Sequence, residues 1–199
     1  MTREGILLII SGPSGVGKGT LCAALQKDMP ELSFSISATT RSPRPGEVHG
    51  KNYFFYSRSE FEAMIKRDEF LEWAVVYDNL YGTPRQYVMD VLSQGKDIVL
   101  EIDIQGARQI KKRFPQGVFI FIVPPSRDEL ANRLAQRGAD SKEEIERRIN
   151  LAGQELENAA DYDYIVPNAD LEKAVQILKS ILVAERCRVA RNRVDIPGF

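Results

Sequence analysis

The chain has 199 residues, 43% hydrophobic and 28% charged, enough apolar material to bury one good core and to suggest a single domain with insertions. Lys and Arg number 27 against 28 Asp and Glu, so no global positive field draws in nucleic acid or an anionic membrane, and any anion site must be local. The two cysteines, Cys22 and Cys187, lie far apart without metal-ligand spacing, which argues against a disulfide or zinc framework and makes the cytoplasm the expected location.

In chain order, the apolar run from Ile6 to Ile10 is too short to span a bilayer and lacks the flanks of a signal peptide. It reads as the first of several continuously apolar strands: GILLIIS, then DIVLEID and VFIFIV, with SFSIS and DYIV as weaker candidates. Leu21, Leu25 and Met29 at helical spacing, stopped by Pro30, predict the first crossover helix, and Ile110 and Phe114 after the turn IDIQG predict another. Ser126 with Glu129, and Ser141 with Glu144, have capping-box spacing before the apolar stripes Leu130/Leu134 and Ile145/Ile149/Ala152/Leu156, and a long helix is expected from Asp170. Strands alternating with helices predict an α/β fold, a three-layer sandwich around a parallel central sheet whose ligands sit at the carboxyl ends of the strands.

Two stretches break this rhythm. Residues 37–88 carry a Pro/Gly-punctuated loop, RSPRPGEVHGKN, short aromatic strands in YFFY and LEWAVVY, and a capped helix from Ser59, and read as an inserted α+β subdomain on a core of 1–36 and 89–199. QRGADS separates two helices without an intervening strand, as a mobile helical lid over 135–150 would. The basic tail RCRVARNRV reads as the solvated face of a helix.

The nine residues GPSGVGKGT, Gly12 to Thr20, stand between the first strand and the first helix, the context a phosphate-binding loop requires. Gly12, Gly15 and Gly17 let the backbone curl so that N–H groups around Pro13, Ser14 and Val16 face the phosphates, and Lys18 supplies a point charge for the β/γ oxygens. The loop departs from the general pattern at Gly19, where a hydroxyl is usual. The hydroxyl comes one place later, at Thr20, so the protein's hold on Mg²⁺ shifts to phosphates, water and nearby acids. A similar GKGT ending occurs in adenylate kinases and points to small nucleotide kinases.

The segment SATTRSPRPGEVHGKNYFF, then LEW, then NLYGTP, then EIDIQGA, taken together, resembles the guanylate kinase family over nearly the whole chain. The resemblance implies transfer of the γ-phosphoryl group of ATP, as Mg-ATP, to GMP, giving ADP and GDP. It assigns GMP binding to Ser37, Arg41, Arg44, Tyr53, Glu72, Tyr81, Gly82 and Thr83, and a catalytic role to Lys18 and Arg41. Arg133, Arg137 and Arg148 resemble the family's lid arginines, with Arg137 also on the ATP, and Asn168 to Asp170 falls where the family holds adenine.

Elementary chemistry supports the acceptor set. Guanine offers N1–H and the exocyclic amine to one carboxylate and O6 to a hydroxyl donor, which Glu72 with Ser37 and Thr83 would match, whereas adenine would leave the carboxylate partly unpaired. Arg41 and Arg44 bring forked donors to the monophosphate, and Tyr53 and Tyr81 bring phenol hydroxyls. Singly, each residue has a plainer role: Glu72 facing solvent from a half-buried strand, the arginines as surface charges, Thr83 as a helix N-cap before Pro84. Glu101 and Asp103, on one face at the end of the third strand, either contact guanine or orient hydrated Mg²⁺; Asp103 and Thr20 would reach the metal through water. A phosphate monoester, with a second pKa near ~6, needs no general base, so His49 is expected to be an exposed loop residue. Arg127 and Arg147 are assigned no function. Two other readings stand beside this one, a catalytically lost phosphopeptide-binding module and a kinase for another small acceptor. The intact glycines and Lys18 speak against the first.

Overall fold

The computed structural model describes residues 4–76, 78–136 and 141–192. In chain order the elements begin with β1 (Leu7–Ser11), α1 (Lys18–Asp28), β2 (Ser33–Phe34), β3 (Ala38–Thr39), β4 (Phe54–Phe55), α2 (Arg58–Lys66), β5 (Phe70–Val76) and β6 (Asn79–Pro84). They continue with α3 (Arg85–Ser93), β7 (Ile98–Glu101), α4 (Ile104–Arg113), β8 (Val118–Val123), α5 (Arg127–Gln136), α6 (Lys142–Leu156), β9 (Tyr164–Pro167) and α7 (Leu171–Arg186).

The apolar runs pair as a parallel sheet in the order β2-β7-β1-β8-β9. Both faces are covered, which is why the runs are continuous rather than alternating. Leu8 and Ile10 of β1 point to the face closed by Leu21 and Leu25 of α1 and Val175, Leu178 and Leu182 of α7. Leu7 and Ile9 point to the other, closed by Val88 and Val91 of α3 and Ala107 and Ile110 of α4. The chain is an α/β three-layer sandwich in which β1, at the centre, delivers its carboxyl end to the phosphate loop.

Residues between the second and seventh strands form a second sheet, β4-β3-β6-β5, antiparallel except where β3 runs parallel to β4. Phe61 of α2 stacks on Phe70 at a centroid distance of 4.3 Å and closes this sheet's small core with Ala38 and Leu80.

Several expectations are corrected. The helix expected from Ser59 begins at Arg58, because Ser57 and Glu60 form the reciprocal capping box. Thr83 is not a helix cap: β6 runs through Pro84, α3 starts at Arg85, and the Thr83 hydroxyl turns inward instead. IDIQG is not a turn; α4 starts inside it, capped by Asp103, whose Oδ1 accepts from the Gly106 N–H at 2.7 Å. Glu101 therefore ends β7 and Asp103 stands beyond the strand.

Nor is the basic tail a solvated helix face. Arg186 pairs at 2.8 Å with buried Asp97, which also accepts from the Ile6 N–H, and Arg191 pairs at 3.0 Å with buried Glu185. These arginines neutralise acids buried beneath them.

Candidate active site

The loop after β1 is shaped by its glycines. Gly12, Gly15 and Gly17 have φ of +146°, +85° and +96°, in or near the left-handed region that L side chains avoid. Lys18 follows as the first residue of α1, and its ammonium donates to the loop carbonyls of Gly12 at 2.6 Å and Pro13 at 3.1 Å. Burial lowers the Lys18 pKa, while Glu101, Glu155 and Asp103 pull it up. The Lys18 ammonium thus stands between loop carbonyls and carboxylates. Val16 is buried, and its carbonyl accepts from the Arg133 guanidinium at 3.1 Å and the Asn168 amide at 2.8 Å. Thr20 and Gly19 are exposed on the first turn of α1.

A cleft of about 200 Å³ beside this loop brings together Lys18, Ser37, Tyr53, Glu72, Tyr81, Gly82, Glu101 and Asp103, which the chain delivers from both sheets. Glu72 is only 6% exposed, against the plain expectation of a solvent-facing strand residue. It shares a face of β5 with Ala74 and Val76, which line the same cleft, and it stands opposite Thr83 on β6. The Thr83 hydroxyl donates to Glu72 Oε1 at 2.6 Å, and burial pushes the Glu72 carboxyl up to about 7. The Thr83 hydroxyl and the Glu72 carboxyl thus form one buried pair facing the cleft.

At the other end, Arg41 donates to Glu47 Oε1 at 2.9 Å and to the Ser42 carbonyl at 2.7 Å, and its guanidinium lies 5.5 Å from the centre of the Tyr53 ring. Tyr53 packs edge to face on Tyr81 at 6.1 Å. Arg44 is exposed and meets the same group through its main chain, its N–H donating to Glu47 Oε2 at 2.7 Å. His49 is exposed, its Nδ1 accepting from the Phe55 N–H.

A second cleft, of about 710 Å³, opens from the same point and shares Lys18, Val76 and Asp103 with the first. Its far wall is α6. There Arg148, in the middle of the helix rather than at its start, donates to Ser14 Oγ at 2.5 Å, directly on the phosphate loop. Arg133 is elsewhere, behind the loop, bonded to Glu129 at 2.8 Å and to the carbonyls of Val16 and Asn168. Arg137 lies outside the described residues, as does the adjoining part of the expected lid, 137–140. Asn168 is buried at the end of β9, and Asp170 caps α7 by accepting from the Lys173 N–H at 3.0 Å.

A family model described as guanylate kinase matches residues 4–185. The chain belongs to the guanylate kinase family. It is 56% identical to the guanylate kinase of Caldanaerobacter subterraneus subsp. tengcongensis, over 96% of this chain and 93% of that one. It is 54% identical to that of Desulfitobacterium hafniense, over 98% of each. Among solved structures, the guanylate kinase of Anaplasma phagocytophilum superposes with a TM-score of 0.80 at 33% identity, covering 96% of this chain and 90% of that one.

Other residues of this family member shape the site without having stood out in the sequence. Glu47 holds Arg41 and the Arg44 main chain together, and Arg41 keeps its carboxyl below the ordinary range. The edge of β5 is bound by α4: the Gln109 amide accepts from the Trp73 N–H at 3.3 Å and donates to the Trp73 carbonyl at 2.7 Å, and Arg113 donates to the Phe70 carbonyl at 2.9 Å. Gly106, one turn before Gln109, leaves room for Glu72, since a Cβ there would lie 2.6 Å from Glu72 Oε2. The spacing 106, 109, 113 is a helix face, a signal with no meaning until its partner strand is known. Glu155 and Arg147 of α6 also line the larger cleft.

Proposed function

We propose that the chain performs the family reaction, transfer of the γ-phosphoryl group of ATP to GMP, with the phosphate loop as donor side and the Glu72 cleft as acceptor side. The observation that carries this reading is the buried Glu72–Thr83 pair in a cleft that reaches Lys18. Glu72 as carboxylate accepts the N1–H and exocyclic amine of guanine, which adds two donors to the Thr83 hydroxyl around a buried carboxylate. Arg41, Arg44, Tyr53 and Tyr81 take the GMP phosphate, Arg41 exchanging Glu47 for it.

GMP brings its own nucleophile, since its phosphate is largely dianionic at neutral pH, and what remains is positioning and neutralisation of charge. Lys18 leaves the Gly12 and Pro13 carbonyls for the β/γ oxygens. Arg148, already on Ser14, Arg133 and Arg137 neutralise the transferring group, and Asn168 and Asp170 border the adenine. In this division of labour 37–88 is the acceptor-binding insertion on a core of 1–36 and 89–199, and 135–150 the lid that excludes water.

Hard oxygen donors stand beside the first turn of α1, the carboxylates of Glu101 and Asp103 and the Thr20 hydroxyl, a set that suits Mg²⁺ better than any softer cation. Arriving with ATP, Mg²⁺ would be held through these oxygens and would supply charge that offsets that of the phosphates. No helix among the described residues is long and apolar enough to cross a membrane. A cytoplasmic location, consistent with two free cysteines, belongs to the same reading.

A panel of nucleoside monophosphates with ATP and Mg²⁺, followed by coupled detection of ADP, tests the assignment. GMP is expected to be turned over far faster than AMP, CMP or UMP. Preference for another acceptor, or no GMP-dependent ADP release, would sink it.

A further inference from the structure

Helix α6 packs on α5 through Ile145, Ile149 and Ala152, which close a small core with Leu130 and Leu134. A neighbouring face of the same helix turns to the phosphate loop. Two charged residues on that face, two helical turns apart, converge there on Ser14. Arg148 donates to Ser14 Oγ at 2.5 Å. Glu155 reaches the Ser14 main-chain N–H and Lys18, and it lines the larger cleft together with Gly12, Ser14 and Lys18. Glu101 and Asp103 act on the same lysine from the end of β7 and the start of α4, so Glu155 is the acid that α6 brings.

Packing does not explain this carboxylate. Glu155 is half-buried, and its Oε2 is buried with no hydrogen-bond partner among the described residues. Burial pushes its pKa up and Lys18 and the Ser14 N–H draw it down, while Asp103 raises it. Leaving a buried carboxylate oxygen without a donor is costly, and an apolar side chain of that size would avoid the cost. What the position gains is an anionic group on the donors of a phosphate site, since the N–H groups and lysine of such a loop are the groups that face phosphate oxygens.

Resting on the assignment of the loop to ATP phosphates, we propose that Glu155 is a built-in competitor of the polyphosphate, holding the Ser14 N–H and the Lys18 charge until phosphate oxygens displace it. It thereby sets how tightly the loop holds ATP and how quickly it gives up ADP. The 710 Å³ cleft that Glu155 lines gives the displaced side chain room to turn toward solvent, while α5 keeps the helix in place. ADP brings phosphates to the same loop and meets the same carboxylate. A like charge beside the ligand weakens binding and shortens its residence.

Calorimetric titration of the full chain with ATP, ADP, inorganic tripolyphosphate and GMP, each in excess MgCl₂, tests this. Glu155→Gln keeps the shape and removes the charge, and should tighten ATP, ADP and tripolyphosphate by about tenfold, the scale of one like charge at a half-buried site. GMP affinity should stay as it is, because Glu155 does not line the acceptor cleft. Stopped-flow displacement should show ADP leaving more slowly. Glu155→Asp retains the charge and should stay closer to the parent, and Glu155→Ala, which removes it, should repeat the tightening even if the glutamine variant does not fold. A residue that only shapes the loop would weaken these ligands when removed, so the sign of the change separates the two roles. Unchanged or weaker polyphosphate binding in the folded Gln and Ala variants overturns the proposal, and so does an equal gain for GMP. Failure of the parent chain to bind ATP or tripolyphosphate would instead overturn the loop assignment on which the proposal rests.

Discussion

The loop proposed for the triphosphate is made of main chain, whereas the cleft proposed for the acceptor is made of side chains brought from β5, β6, β7 and the residues just before β3 and β4. In the loop, a few consecutive residues carry their own geometry: positive φ at Gly12, Gly15 and Gly17, and Lys18 at the start of the helix they lead into. In the cleft, Glu72 depends on distant parts of the chain: Thr83 faces it across the sheet, and Gly106 of another layer leaves it room. A main-chain site is hard to retune by substitution, since most changes break the loop. A side-chain site can be altered residue by residue, and its specificity depends on parts that never touch the ligand.

The difference predicts graded effects. Lys18→Ala should lower kcat by on the order of 10³, the scale expected for removing a charge aimed at the developing transition state, with little change in thermal melting, since among the described residues its hydrogen bonds go to two loop carbonyls and burial already costs its charge. Coupled ADP release and a melting curve check both halves, and normal turnover would break the donor side of the comparison.

Glu72→Gln should raise KM for GMP by about 100-fold, the scale of a lost charged hydrogen-bond pair, with KM for ATP unchanged. Equal losses for both substrates would mean that the two clefts are not separable. This residue also sets a pH dependence. Because burial holds its carboxyl near about 7, the folded chain keeps a proton that the unfolded chain releases at the ordinary carboxylate value. The folded state therefore binds more protons between roughly 4.5 and 7, and this contribution to stability falls as pH rises through that window. GMP affinity should rise over the upper part of it, as Glu72 ionises. The phosphate of GMP titrates nearby, so the part due to Glu72 is the slope that disappears in Glu72→Gln.

Gly17→Ala combines a strained φ of +96° with a contact of 2.7 Å to the Asn168 amide, and should destabilise the protein by about 1–3 kcal/mol in denaturant melts while weakening ATP more than GMP. The smallest effect expected is from Gln109→Leu. Loss of two partly exposed bonds to Trp73 should raise KM for GMP by no more than about tenfold and leave ATP alone. No change in GMP KM would confine α4's influence to Gly106.

The sequence carried the conformation of the glycine loop almost entirely, because such a loop is a local object: strand, glycines, lysine and helix start follow one another in the chain. It carried the sandwich as well, since strands buried on both faces must be continuously apolar. The acceptor residues were named through resemblance to a family, and their individual chemistry allowed plainer roles that single residues could not exclude. Thr83 before Pro84 read as a helix cap because the local pattern is that of one. β6 instead continued through Pro84, and the hydroxyl went to a carboxylate eleven residues away in sequence.

By itself, then, the sequence determined that a triphosphate loop sits on an α/β core. Tertiary structure decided what the acids near it do: that Glu72 is buried and titrates near neutrality, that Asp103 is bound to α4, and that Glu155 comes to the loop from α6. The physical reason is that a carboxylate's role follows from its desolvation and its neighbours, and both are set by elements far from it along the chain.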